Sequence, residues 1–169
     1  MAIYTIWNGP SPTTAAQAVL ATSAVIKTLL QVVPSATLAA RIIEWGISFD
    51  GSAAATPVKC ELLETDVAAT VTAHVSAGIV KTDAAALIGG DPTTNLIQVG
   101  TALTGYNASA EGTITSVRMF DAQLIAPTGQ WVIQKPLGRE WFIQVGKFAR
   151  IRVTAGATVN CYCYMAVEV

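Results

Sequence analysis

The chain has 169 residues, of which 12% are charged and 52% hydrophobic, with a formal net charge of −1 and a mean hydropathy of +0.49. That length supports one well-buried core, and ten basic against eleven acidic residues lack the concentrated positive face with which a nucleic-acid binder replaces counterions along phosphates. No run of about 18 apolar residues is uninterrupted enough to span a membrane, so contacts with other protein chains are the expected cover for so much apolar surface.

The start, MAIYTIWNGP, has neither the positive charge nor the cleavage site of a secretory signal, and synthesis in the cytoplasm is expected. Residues 1–24 mix apolar residues with Gly9, Pro10 and Pro12 and then run into Thr and Ala without a clear period. They read as an extended N-terminal arm, followed by a β domain over 25–169. From Lys27 onward the hydrophobic period approaches two. In RIIEWGISFDG this places Ile43, Trp45, Ile47 and Phe49 on one face and Glu44, Gly46, Ser48 and Asp50 on the other. Asp50-Gly51 then supplies turn chemistry, GSAAATP a small, flexible connection, and VKCELLETD a second strand with Val58, Cys60 and Leu62 aligned.

Residues 66–112 are dominated by Thr, Ala and Gly; TDAAALIGG reads as a short helical turn and GGDPTTN as a turn around Asp91 and Pro92. Strand signals return in TITSVRMFDAQLI, GQWVIQ and KFARIRVT, with breaks near Pro127, Pro136, Gly138 and Gly156. The terminal NCYCYMAVEV alternates, with Val159, Cys161, Cys163, Met165 and Val167 on one side and Asn160, Tyr162, Tyr164, Ala166 and Glu168 on the other. Such a strand belongs in a core and must be paired on both edges or covered, because a bare apolar edge invites aggregation. With no internal repeat and no long helix, the pattern predicts an all-β fold, an antiparallel two-sheet β-sandwich of about eight strands.

Chemistry-bearing residues are sparse. Cys161 and Cys163 are separated by about 6.6 Å of strand rise, too far for a disulfide, and with Cys60 and the single His74 they lack zinc spacing; no metal or cofactor is expected. Cys60 with His74 would suit nucleophilic hydrolysis only if the fold joined them, and KCELLE reads as strand and not as a strained nucleophile turn. The acids Glu44, Asp50, Glu61, Glu64 and Asp66 read as solvated, although a carboxylate pair for sugar hydrolysis, or calcium on Asp50 and Asp66, stays open at this level. Arg150 and Arg152 read as paired or solvated structural residues. GIVKTDAAALIGGDP lacks the order of a phosphate loop, and Asn107-Ala108-Ser109 matches a glycosylation sequon without a secretory context. Trp45 is a core residue. Tyr4, Trp7, Tyr162 and Tyr164 are the aromatic side chains assigned to a partner interface, since aromatic residues commonly anchor such contacts.

The runs IKTLLQV at 26–32, IIEWGISFDG at 42–51, GYNASAEGT at 105–113, PLGRE at 136–140 and ARIRVTAG at 149–156 together resemble a family of small virion structural proteins of tailed bacteriophages. The resemblance covers most of the chain from Lys27 to the end. It implies a jelly-roll-like domain on the virion surface, a non-enzymatic head decoration or cement protein that binds the major capsid protein at capsomer junctions and acts as a homo-oligomer, often a trimer. A tail-associated receptor- or glycan-binding jelly roll, reading a host sugar through loops around Asn95 and Tyr106, is the alternative.

Overall fold

A computed structural model describes residues 2–10, 14, 16–52, 56–82 and 96–169. The predicted turns around Asp91 and in TDAAALIGG beyond Thr82 lie outside the described residues, as do Asn95 and residues 53–55 of GSAAATP.

The described chain is built from thirteen strands: β1 (Ile3–Trp7), β2 (Leu20–Ala21), β3 (Lys27–Val32), β4 (Ala40–Phe49), β5 (Val58–Thr65), β6 (Thr70–Ala73), β7 (Ile79–Lys81), β8 (Gly105–Ala110), β9 (Val117–Ile125), β10 (Gln130–Gln134), β11 (Trp141–Ile143), β12 (Phe148–Thr154) and β13 (Asn160–Glu168). The only helical element among the described residues is a three-residue 3₁₀ turn at Ser76–Gly78. The strands form two antiparallel sheets. Sheet A has the order β10-β4-β13-β1-β7, with β11 also on β4 and β2 also on β13; sheet B has the order β6-β8-β3-β12-β5-β9. The predicted two-sheet sandwich is thus present. The strand count exceeds the expected eight because several strands are too short to leave a periodic signal: β2, β6, β7 and β11 span two to four residues each.

The terminal segment behaves as its alternation dictates. Cys161, Cys163, Met165 and Val167 are buried, and β13 pairs with β4 on one side and with β1 and β2 on the other. All three cysteines are free, and Cys60 faces the core from sheet B with Val58 and Leu62.

In β4 the predicted face is corrected at one position. Ile42, Trp45, Ile47 and Phe49 are buried while Ile43 is half-buried, because the register against β13 jumps between Ala166 and Val167, pairing Ala166 with Glu44 and Val167 with Ile42. The extra residue on β4 is a β-bulge, which resets the alternation by one.

Of the residues read as an arm, Ile3–Trp7 form β1, between β13 and β7, and Leu20–Ala21 form β2. In β1, Tyr4 and Ile6 point into the core, whereas Trp7 is on the outer side.

Candidate functional site

On sheet B, segments beyond the strands fold over β3 and β12 with polar contacts, while β9 leaves Val117, Met119 and Leu124 exposed on the same face. Buried Arg150 donates from Nη1 to the Glu111 carboxylate at 3.2 Å and the Glu111 carbonyl at 3.0 Å, and from Nη2 to the Val67 carbonyl. Glu111 in turn accepts from the Thr28 hydroxyl at 2.6 Å, and buried Gln31 clamps Leu103 and Ala69. Arg152 pairs with Glu61 at 2.7 Å. Both arginines therefore have the paired structural role their sequence position suggests. Burial pulls the Arg150 guanidinium down to about 10, which leaves it charged at neutral pH.

Sheet A's outer face has less such cover from the described residues, with Gln17 reaching it at Tyr162. The strand registers align a row across four strands: Trp7 on β1 lies opposite Tyr164 on β13, Tyr164 opposite Gly46 on β4, and Gly46 opposite Val132 on β10. A neighbouring row runs Tyr162, Ser48, Gln130, and the one on the other side Thr5, Ala166, Glu44, Gln134. Trp7 is 38% and Val132 54% exposed.

Gly46 explains the posture of the aromatic group. A Cβ at that position would sit 2.6 Å from Tyr164 Cε1, so the missing side chain is what lets the Tyr164 ring lie across β4 instead of standing off the sheet. The ring is fixed from both ends. Its hydroxyl donates to Glu44 Oε1, and Trp7 packs beside it at 4.7 Å between centroids and 35° between planes. Burial first, and the Glu44 contact second, raise the Tyr164 phenol above its ordinary value. The Tyr162 hydroxyl donates to the Gln17 carbonyl. A shallow trough of about 130 Å³ runs between these aromatics and Val132, floored by Gly46 and Ser48.

Of the four aromatics assigned to an interface, the fold brings Trp7, Tyr162 and Tyr164 together on this face. Tyr4 is 0% exposed and packs in the core, as the alternation of IYTIW already dictates. Glu44, Gly46 and Val132 complete the face and were not singled out for it; the signal was a glycine in the middle of an otherwise regular strand.

The hydrolytic candidates are separated. Cys60 on β5 and His74 just after β6 lie about four strand spacings, or roughly 19 Å, apart across sheet B. Burial pushes the Cys60 thiol up to about 12, far from the thiolate that nucleophilic attack needs. The acids are dispersed and individually engaged: Glu64 with Arg118 at 2.9 Å, Glu61 with Arg152, and Asp50 with the Asn160 amide at 3.2 Å. Asp66 accepts from the Thr115 hydroxyl and from the Ser116 amide at 3.1 Å, contacts that hold its carboxyl down at about 2. Asp50 precedes β5 and Asp66 follows it, placing the pair at opposite ends of an eight-residue strand, roughly 25 Å apart. They do not share a calcium ion, and no group of three His, Cys, Asp or Glu side chains among the described residues is placed to hold a metal. Asn107 has φ 54°, a left-handed conformation that Asn tolerates; nothing else in the structure bears on its sequon. Among the described residues no helix is long and apolar enough to cross a membrane.

The chain matches no protein-family model, no curated protein and no solved structure.

Proposed function

We propose that the protein is a non-enzymatic virion structural subunit of a tailed bacteriophage, a head decoration or cement protein with a jelly-roll winding of its sandwich. On this reading it is made in the host cytoplasm, assembles as a homo-oligomer, in the expected form a trimer, and bridges neighbouring major capsid subunits on the head surface. The observation that carries the reading is the outward row Trp7, Tyr164, Gly46, Val132 on sheet A, with Trp7 and Val132 exposed. Tyr and Trp held rigid at a surface supply contact area at little entropic cost, and among the described residues this face has less polar cover than the part of sheet B around Arg150. A cement protein acts by occupancy: binding the assembled shell and not dispersed subunits stabilises the shell through linkage.

A second reading is favoured by one feature of the same face. The Ser48 hydroxyl and Gln130 amide beside the flat Tyr164 ring have no side-chain partner among the described residues, which suits a sugar stacked on the ring in a tail-associated glycan-binding protein. Immunogold labelling of intact particles separates the two. Label over the head is expected; label confined to the tail tip overturns the decoration reading and supports the second.

A further inference from the structure

We infer that the sheet A face carries an arginine-accepting slot, in which a guanidinium from the contacted shell chain stacks on the Tyr164 ring, which Trp7 buttresses, and ion-pairs with Glu44. The inference rests on the decoration reading and names the chemistry its partner presents. Glu44 is the reason for choosing a cation. It stands in a row of otherwise uncharged outward residues, between Ala166 of β13 and Gln134 of β10. One of its oxygens takes the Tyr164 hydroxyl, and it has no ion-pair partner among the described residues.

The two cations close to Glu44 in sequence and register are turned elsewhere. Arg41 lies over the Phe142 ring at 4.9 Å and reaches Glu140 at 3.7 Å, and Lys135 lies 4.2 Å above the Trp141 ring. Among the described residues, a half-buried carboxylate at the hydroxyl end of the Tyr164 ring thus has no charged side chain to answer it. A guanidinium suits that carboxylate and ring better than an ammonium. It is planar and weakly hydrated, it stacks on aromatic faces, and it bonds a carboxylate through a fork of donors. Arginine, tryptophan and tyrosine are also the residue types that dominate contact energy at protein interfaces.

The test uses the intact chain and a defined probe. N-acetyl-arginine methylamide is titrated into the labelled protein while the Trp7 indole and Tyr164 ring signals are followed by NMR, with the neutral isostere N-acetyl-citrulline methylamide and methyl β-glucoside as comparisons. The arginine probe should bind at least about fivefold more tightly than citrulline. Glu44→Gln, which keeps an acceptor for the Tyr164 hydroxyl, should erase that preference, and Trp7→Ala should weaken both probes. Equal response to arginine and citrulline overturns the slot, as does an unresponsive wild type or saturation by the glucoside in place of arginine. Co-sedimentation with isolated phage heads tells this failure from failure of the function reading. Heads bound equally well by wild type and Glu44→Gln, with no arginine preference, sink the slot and leave the decoration reading standing. An arginine preference without head binding sinks the decoration reading alone.

Discussion

His74 is the chain's single histidine, 2% exposed, and it ties the far edge of sheet B to the end of β1. Its Nε2 is 2.8 Å from the Trp7 carbonyl, which takes the ring N–H, while Nδ1 is buried without a partner among the described residues. The Tyr106 ring packs against it from β8 at 4.9 Å. A proton on Nδ1 would have no acceptor, and burial accordingly lowers the imidazole below its usual 6.5, against the smaller opposing effect of the Trp7 bond. The folded state therefore binds the proton less readily than the unfolded chain. The stability this provides is fully present above about pH 6.5 and is lost as pH falls below that value towards the folded-state pKa, at about 1.4 kcal/mol per pH unit within the window. Urea unfolding from pH 7.5 to 5 should show this slope in the wild type and a smaller one in His74→Gln, whose amide can still donate to Trp7. Parallel profiles would contradict the assignment. The sequence announces a lone histidine, but its bonding partner is a backbone carbonyl 67 residues away in the chain, which no residue pattern encodes.

Among the elements, the strands read best where alternation is unbroken, as in β13, and worst where a bulge resets it, as at Ile43. Bulges also govern the edges. β9, the long outer strand of sheet B, has a register shift against β5 between Leu62 and Leu63 that leaves Phe120 unpaired, and it turns Asp121 to the same side as Leu62. A bulge and an inward charge are two ordinary defences of an exposed strand edge. Asp121 also joins the sheets at this rim. Its carboxylate accepts from the indole N–H of Trp45 at 3.2 Å and of Trp131 at 3.1 Å, and from the Gln123 amide at 2.8 Å. Trp45 could be assigned to the core from its face alone; that it shares an acid with Trp131 could not, since the three residues come from β4, β9 and β10. Asp121→Ala strands two indole donors, one of them on a fully buried ring, and should cost about 2–4 kcal/mol in denaturant unfolding followed by tryptophan fluorescence. Asp121→Asn keeps an acceptor oxygen and should cost less than half as much. Equal, near-zero effects would remove the rim from the account of stability.

For the whole molecule, the high hydropathy read from composition divides between a core and large apolar side chains left on the exterior. Leu137 at 93% and Leu124 and Val25 at 70% exposure each join the aromatic face in presenting surface that a soluble chain usually screens with charge. The other outer strands, β6, β7, β10 and β11, have at most five residues each, so open-ended edge pairing is discouraged while Trp7 and Val132 stay exposed on the sheet A face. That combination favours contact through faces with defined partners. Sedimentation velocity of the purified chain, alone over a wide concentration range and then mixed with isolated phage heads, tests this most directly. The account predicts a discrete oligomer that leaves the supernatant with the heads, both diminished by Trp7→Ala. A single monomeric species at every concentration, left behind when the heads are pelleted, would contradict it.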